Sequence, residues 1–261
     1  MHPLLNVAIQ AARNAAKIIV RSFDRLDTLE IDEKETNDFV TQVDMLSEQE
    51  IIHTIRKSYP NHAILAEESG FDAGQDEYVW IIDPLDGTTN FIHGFPHFAI
   101  SIALSYRNQL EVGVVYDPLR QELFTAARGQ GAQLDNRKIR VSPCQKFNRA
   151  LLGTGFPFKE ETYLKPYLKL FETIFPKTAG VRRAGAAALD LAYVASGRLD
   201  GYWEFGLNPW DMAAGILLVK EAGGLVGDIH GKEDVMKTGN VVVGNPKIYP
   251  ILVDLITKTN F

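Results

Sequence analysis

The run Trp80-Ile81-Ile82-Asp83-Pro84-Leu85-Asp86-Gly87-Thr88-Thr89-Asn90-Phe91 gathers the residue types that phosphate chemistry needs. An apolar stretch delivers Asp83 to its end. Pro84 fixes the turn and removes one backbone donor, and Asp86 follows three residues after Asp83. Gly87 lets the backbone approach a ligand closely, and Thr88 brings a hydroxyl. A helix beginning here would offer the Gly87 and Thr88 N–H groups to phosphate oxygens. Two carboxylates beside a phosphate repel it. Divalent cations placed between them reverse that, and Mg²⁺ favours such oxygen ligands. The same residue types also build ordinary solvated Asp-Pro turns, so the segment does not decide the matter by itself.

Other residues carry parts of the same chemistry. Glu67 and Glu68 close the short apolar run Ala63–Ala66, and Asp211 follows Pro209-Trp210 at the start of a helical pattern. An aspartate in a first helical turn also offsets the macrodipole, and both roles can coexist. The string nearly matches the Asp-x-Asp-Gly-Thr of haloacid dehalogenases. Here, however, the aspartates are three apart and lie far into the chain, which argues against an aspartyl nucleophile. His93 and His97 have zinc-like spacing, but Gly94 and Pro96 break the helix that such a pair requires.

Stepping outward, the elements that must hold these residues are legible in the hydropathy pattern. Leu4, Ala8, Ala11, Ala15, Ile18 and Ile19 recur at helical spacing and predict a helix over about 3–23. A polar stretch around 32–38 reads as a loop or hairpin tip. A second helix over about 43–59 has Leu46, Ile51, Ile52 and Ile55 as its apolar stripe, and Pro60 stops it. Strands follow at 63–66, 79–82, 98–106, 110–116 and 122–126. Beyond about 142, strands alternate with helices near 162–175, 186–196, 209–222 and 246–257. Two halves are expected to work as one unit. Residues 1–141 form an α+β half with an antiparallel sheet and most of the metal ligands, and 142–261 form an α/β half.

Composition narrows the function. The 261 residues include 33 acidic and 27 basic ones, a net charge of −6 with no basic stripe, so direct nucleic-acid binding is not expected. The single cysteine, Cys144, excludes an internal disulfide and a cysteine-built metal site, which suits a reducing compartment. The N-terminus lacks secretory features. The longest stretch free of Asp, Glu, Lys and Arg, Gly87–Tyr106, contains Asn90, Gly94 and Pro96, so no membrane span is expected and a cytoplasmic location is.

Four segments taken in order resemble the inositol monophosphatase family, close to its bacterial SuhB-type members, over essentially the whole chain. They are Asn37–Asp44, Ala66–Gly70, Asp83–Phe91 and Pro209–Gly215. The resemblance implies a sugar-phosphatase-type α-β-α-β-α layered sandwich and hydrolysis of inositol monophosphate or related small sugar and polyol phosphates. It implies two or three Mg²⁺ per subunit, lithium sensitivity and a homodimer. By that likeness, Glu67, Asp83 and the Leu85 carbonyl match ligands of one Mg²⁺, and Asp83, Asp86 and Asp211 those of a second, with Glu67 shared by a weaker third site. Thr88 matches the residue that positions the attacking water, and Asp44 the acid bonded to it. Gly87 and Thr88 match the phosphate-holding backbone, while Glu204 and Ala187 match the polyol pocket. Lys34 falls near a loop lysine of the family, in a more acidic loop. Arg183 and Asp190 flank the pocket with substrate, dimer and internal-pair roles all open. Within the family, fructose 1,6-bisphosphate remains an alternative substrate. A non-catalytic role beside transcription antitermination proteins is an alternative of a different kind.

Overall fold

The computed structural model describes residues 2–26, 31–35, 38–75, 77–157 and 161–259, with backbone alone for 31–35, 38–40 and 161. Eight α-helices are present among these residues: α1 (Pro3–Phe23), α2 (Gln42–Ser58), α3 (Thr88–Ile92), α4 (Glu161–Ile174), α5 (Ala187–Ala195), α6 (Pro209–Glu221), α7 (Val235–Thr238) and α8 (Tyr249–Lys258). A hairpin pairs β1 (Ile31–Glu35) with β2 (Asp38–Thr41). The first large sheet takes β3 (Ala63–Ala66), β4 (Gly70–Asp72), β5 (Tyr78–Asp86), β6 (Ala99–Tyr106), β7 (Gln109–Asp117), β8 (Glu122–Ala127), β9 (Gly131–Leu134) and β10 (Arg137–Lys138). The second takes β11 (Leu151–Thr154), β12 (Gly180–Arg182), β13 (Gly201–Glu204), β14 (Leu225–Gly227) and β15 (Val241–Gly244).

The eight-stranded sheet runs in the order β10-β9-β8-β7-β6-β5-β3-β4. It is an antiparallel meander except where β3 lies parallel to β5. That parallel pair is what sets Glu67 and Asp83 at the same sheet edge: Ala66 pairs with Ile82, and the next residue of each strand is an acid. The five-stranded sheet, β12-β11-β13-β15-β14, mixes parallel and antiparallel neighbours.

Period-two alternation sorts the strand side chains into layers. On β5, Trp80 and Ile82 join the core under α1 and α2, while Ile81 joins the core under α5 and α6. On β6, Ile100, Ile102 and Leu104 face the first core, and Ala99 and Ala103 the second. On β13 and β15, Tyr202, Val241 and Val243 turn inward, whereas Trp203 and Val242 turn out against α4 and α8. The result is helices, sheet, helices, sheet, helices, the expected layered sandwich. The helix α6 is buried all round from Met212 to Val219, as a helix held between two sheets must be. Its backbone comes close to β7, where a Cβ at Gly113 would stand 3.0 Å from the Ala214 carbonyl oxygen and 3.1 Å from its Cα.

One expectation fails in α2. Leu46, assigned to the apolar stripe, is 42% exposed. The buried face is Val43, Asp44, Ser47, Glu48, Ile51, Thr54 and Ile55. The first two turns of α2 lie over strand ends and loops rather than over a strand face, and the backbone polar groups there demand polar partners. The short elements β4, β9, β10, β14, α3 and α7 were also not resolved by the pattern, because each spans too few residues to show a period.

Candidate functional site

The helix α2 reaches three loops with side chains from its first two turns. Asp44 Oδ1 accepts the Thr88 hydroxyl at 2.9 Å, and its Oδ2 accepts the Thr41 N–H and hydroxyl at 2.8 and 2.6 Å. Ser47 donates to the Pro84 carbonyl at 2.9 Å, between Asp83 and Leu85. Glu48 accepts the Glu68 and Ser69 N–H groups, in the turn that begins with Glu67. The Thr41–Asp44 contacts double as a capping box, so the bonds that start α2 also fix a site carboxylate.

At the end of β5, Asp83 Oδ1 accepts the Leu85 N–H at 3.0 Å, closing the turn around Pro84. The Thr88 hydroxyl also lies 3.0 Å from the Leu85 carbonyl. Gly87 takes φ +93 and precedes α3; a Cβ there would meet the His97 carbonyl at 3.0 Å and the Ala186 Cβ at 3.2 Å. Asp86 crosses to the second half of the chain and accepts the N–H groups of Ala187 (3.2 Å) and Ala188 (2.7 Å) at the start of α5. Asn90 fastens the same two segments, its amide nitrogen standing 2.7 Å from the His97 carbonyl, 2.9 Å from that of Ala184 and 3.2 Å from that of Gly185.

Asp211 enters on the first turn of α6. Its Oδ2 accepts the Asn208 N–H at 2.7 Å in a second capping box. Ser101, the cross-strand partner of Asp83, donates to the Trp210 carbonyl at 3.1 Å and ties this helix start to the first sheet. Glu204, at the end of β13, accepts the Tyr202 hydroxyl.

These acids feel one another. Burial, then the charges of Glu67, Asp86 and Asp211, hold the Asp83 carboxyl well above the usual carboxylate range; Asp83 is 1% exposed and also hydrogen-bonded to Glu67. Burial and Asp211 raise Asp86 against the opposing Ala188 N–H, with Asp190 and Glu204 adding to the rise. Burial pushes Glu204 up to about 7 against its Tyr202 hydrogen bond, with Asp211 raising it further and Arg183 opposing. Asp190 is raised well above the usual range by burial and by Glu204, with Arg183 opposing. Burial also raises Asp44 despite the bonds from Thr41 and Thr88. The structure therefore brings Glu67, Asp83, Asp86 and Asp211 into mutual electrostatic contact, with Glu204, Asp190 and Arg183 beside them. Among the described residues, no three or more His, Cys, Asp or Glu side chains stand close enough together to hold a metal ion. The side chain of Lys34, on β1, lies outside the described residues.

His97 is a separate case. It is 6% exposed, and its Nε2 has no hydrogen-bond partner among the described residues, standing 3.9 Å from Asp190 Oδ1. Burial, aided by Arg120 and opposed by Asp117, lowers its pKa from 6.5 to about 4. Below pH 6.5 the unfolded chain takes up a proton that the folded chain refuses. Stability therefore falls as pH drops from about 6.5 toward 4, by about 3 kcal/mol in all. His97→Phe removes this contribution. In urea titrations at pH 7 and 4.5 the wild type is expected to lose more stability than the variant, and equal losses would refute the assignment.

Comparison with known proteins identifies the lineage. The model of the inositol monophosphatase family matches residues 1–259. The chain belongs to the inositol monophosphatase family. A Pseudomonas aeruginosa relative named Nus factor SuhB is 55% identical over 98% of this chain and 96% of its own length. The crystal structure of suhB from Bartonella henselae superposes with a TM-score of 0.96 at 42% identity, covering 98% of this chain and 99% of the other. The Thermotoga maritima IMPase superposes at 0.90 and 35% identity, covering 99% and 98%. The inositol monophosphatase fold is thus the sugar-phosphatase sandwich expected from the sequence, and membership supports a phosphatase.

The candidate site also contains partners that residue spacing did not reveal: Thr41, Ser47, Glu48, Asn90, Ser101 and Tyr202. Only Thr41 had a readable signal, as a threonine three residues before Asp44 at a helix start. No helix among the described residues is long and apolar enough to cross a membrane.

Proposed function

We propose that the protein is a Mg²⁺-dependent phosphatase that hydrolyses inositol monophosphate and related small polyol phosphates. The observation that carries this reading is the approach of Glu67, Asp83, Asp86 and Asp211, with Asp83 and Asp86 raised in pKa by burial first and then by the charges of neighbouring acids. The strongest influences on Asp83 and Asp86 include no cation, while Arg183 bears on Asp190 and Glu204. An all-oxygen, carboxylate-rich donor set fits a hard divalent ion. Glu67, Asp83 and the Leu85 carbonyl would hold one Mg²⁺, and Asp83, Asp86 and Asp211 another, with a weaker third at Glu67. Bound Mg²⁺ supplies charge neutralisation for the phosphate and acidifies water.

The remaining steps belong to the chain itself. The Thr88 hydroxyl proton is directed to Asp44 Oδ1 and the Leu85 carbonyl. Its oxygen lone pairs therefore accept from a water and hold that water for attack on phosphorus. As the water loses a proton to Thr88 Oγ1, the threonine proton passes to Asp44, whose burial favours the protonated form. The N–H groups of Gly87 and Thr88 hold the phosphate oxygens. Glu204, fixed by Tyr202, accepts from polyol hydroxyls, and Ala187 leaves space beside it. Asp86, Ala187 and Glu204 join the two halves of the chain into one working unit.

The test is a panel of esters with Mg²⁺ and with EDTA: inositol 1-phosphate, glycerol 2-phosphate, fructose 1,6-bisphosphate and p-nitrophenyl phosphate. Inositol 1-phosphate is expected to be turned over in Mg²⁺, inhibited by Li⁺, and left intact in EDTA. Glu204→Gln is expected to raise KM for inositol 1-phosphate about tenfold, the cost of one charge-assisted hydrogen bond, and to leave p-nitrophenyl phosphate unchanged. Equal effects on both esters would remove Glu204 from the polyol site. A homodimer is part of the proposal, and sedimentation at working concentration reads it.

A second reading is favoured by the names of the relatives, which call them Nus factors. A role beside transcription factors would use the surface and not the acids. Asp86→Asn separates the two: phosphate release is expected to stop while any complex with antitermination proteins persists.

A further inference from the structure

Glu48 sits in the second turn of α2, 3% exposed, and both of its carboxylate oxygens are engaged by backbone. Oε2 accepts the Glu68 N–H at 2.8 Å and Oε1 the Ser69 N–H at 2.9 Å. The Glu67 N–H donates instead to the Ile82 carbonyl at 3.1 Å, one residue before Asp83. Across this turn Ala66 pairs with Gly70, so residues 67–69 form the whole connection between β3 and β4. All three of its amides are therefore tied down, one to the strand end that carries Asp83 and two to a single buried carboxylate. A neutral side-chain acceptor, with one oxygen, would satisfy one amide and leave the other short. A further buried carboxyl group stands beside the turn that carries Glu67, which already faces Asp83. Packing alone would favour an apolar residue on this face of α2, where Ile51 and Ile55 continue it.

We propose that Glu48 is a positioning residue that sets the Glu67 carboxylate for cation binding, acting through the Glu68 and Ser69 amides. The proposal rests on the reading that Glu67 holds a divalent ion. It deepens that reading by assigning cation affinity to a residue that touches neither cation nor substrate.

The experiment is calorimetric titration of the full-length chain with Mn²⁺, together with steady-state kinetics on inositol 1-phosphate. Glu48→Gln is expected to weaken Mn²⁺ binding about 10–100-fold, the usual effect of removing a residue that orients a ligand. In the kinetics, its half-saturating Mg²⁺ is expected to rise by a similar factor. Glu48→Asp keeps the charge but is too short to span both amides, and is expected to weaken Mn²⁺ binding as well. Ile55→Val, a core change in the same helix, is expected to lower Tm and leave the Mn²⁺ Kd unchanged. A Mn²⁺ Kd within twofold of wild type in Glu48→Gln overturns the proposal, as does an equal weakening in Ile55→Val. Wild-type chain that binds Mn²⁺ but hydrolyses no ester overturns the phosphatase reading and leaves the Glu48 result standing. Wild-type chain that binds no Mn²⁺ overturns both.

Discussion

Asp83→Asn is expected to lower Mg²⁺-dependent hydrolysis of inositol 1-phosphate at least about 10³-fold, equivalent to about 4 kcal/mol of lost transition-state stabilisation. In metal-free buffer at pH 7.5 the same variant is expected to melt a few degrees above the wild type. Both effects have one cause. Asp83 is the acid whose charge meets those of Glu67, Asp86 and Asp211. Its pKa in the folded chain lies well above that of the unfolded chain, so ionisation disfavours the folded state. That penalty is absent below the unfolded pKa, grows as pH rises toward the folded pKa, and is complete above it. Asparagine removes the penalty, and its own Oδ1 keeps the Leu85 N–H bond of the turn. Added Mg²⁺ should stabilise the wild type by about 2.7 kcal/mol at a hundred times Kd and leave the variant nearly unmoved. Melting curves with and without Mg²⁺, beside a phosphate-release assay, read all of this. A variant that keeps a tenth of the activity contradicts the assignment.

Thr88→Ala is the second large effect, with kcat down by about 10²–10³ at saturating Mg²⁺ and KM within threefold. The hydroxyl hands its proton toward Asp44 and Leu85 and presents lone pairs to water, so its loss removes orientation and proton acceptance together. Thr88→Ser keeps the oxygen and should retain most of the rate. The stability change should stay near 1 kcal/mol, because Asp44 keeps both Thr41 contacts. Steady-state kinetics of the two variants decide the point. An alanine variant with a third of wild-type kcat would show that water is held elsewhere.

The acids were readable because each closes a segment with a strong local signal. An apolar run ends at Glu67, another at Asp83, and Pro209 marks the helix start that presents Asp211. Gly87 and Thr88 stood out after the Asp-Pro turn as a glycine allowing close backbone approach and a hydroxyl, and their roles came from the family likeness. The supporting residues left less trace: Asp44 was placed through the family likeness, Thr41 by its spacing at a helix start, and Ser47 and Glu48 not at all. Asp44, Ser47 and Glu48 lie at spacings of three and four, the signature normally read as an apolar stripe when the residues are apolar. With polar residues in those places, Leu46 looked like the buried one, although it faces outward. What decides the matter is backbone beneath the helix, the Glu68 and Ser69 N–H groups after β3 and the Pro84 carbonyl of β5, which no local pattern shows. Asn90 is hidden in the same way, since its three carbonyl neighbours lie on segments up to 95 residues distant. The alternating strands and amphipathic helices were legible in the pattern, and their stacking into layers was expected from the family likeness. The parallel seating of β3 against β5, which brings Glu67 to Asp83, was not.

The most direct test is a crystal of the full-length chain soaked in Mn²⁺ and measured for anomalous scattering. At least two strong peaks are expected, contacted by Glu67, Asp83, Asp86, Asp211 and the Leu85 carbonyl. A saturated soak that leaves those carboxylates without metal, or that places the peaks on other residues, contradicts the metal site.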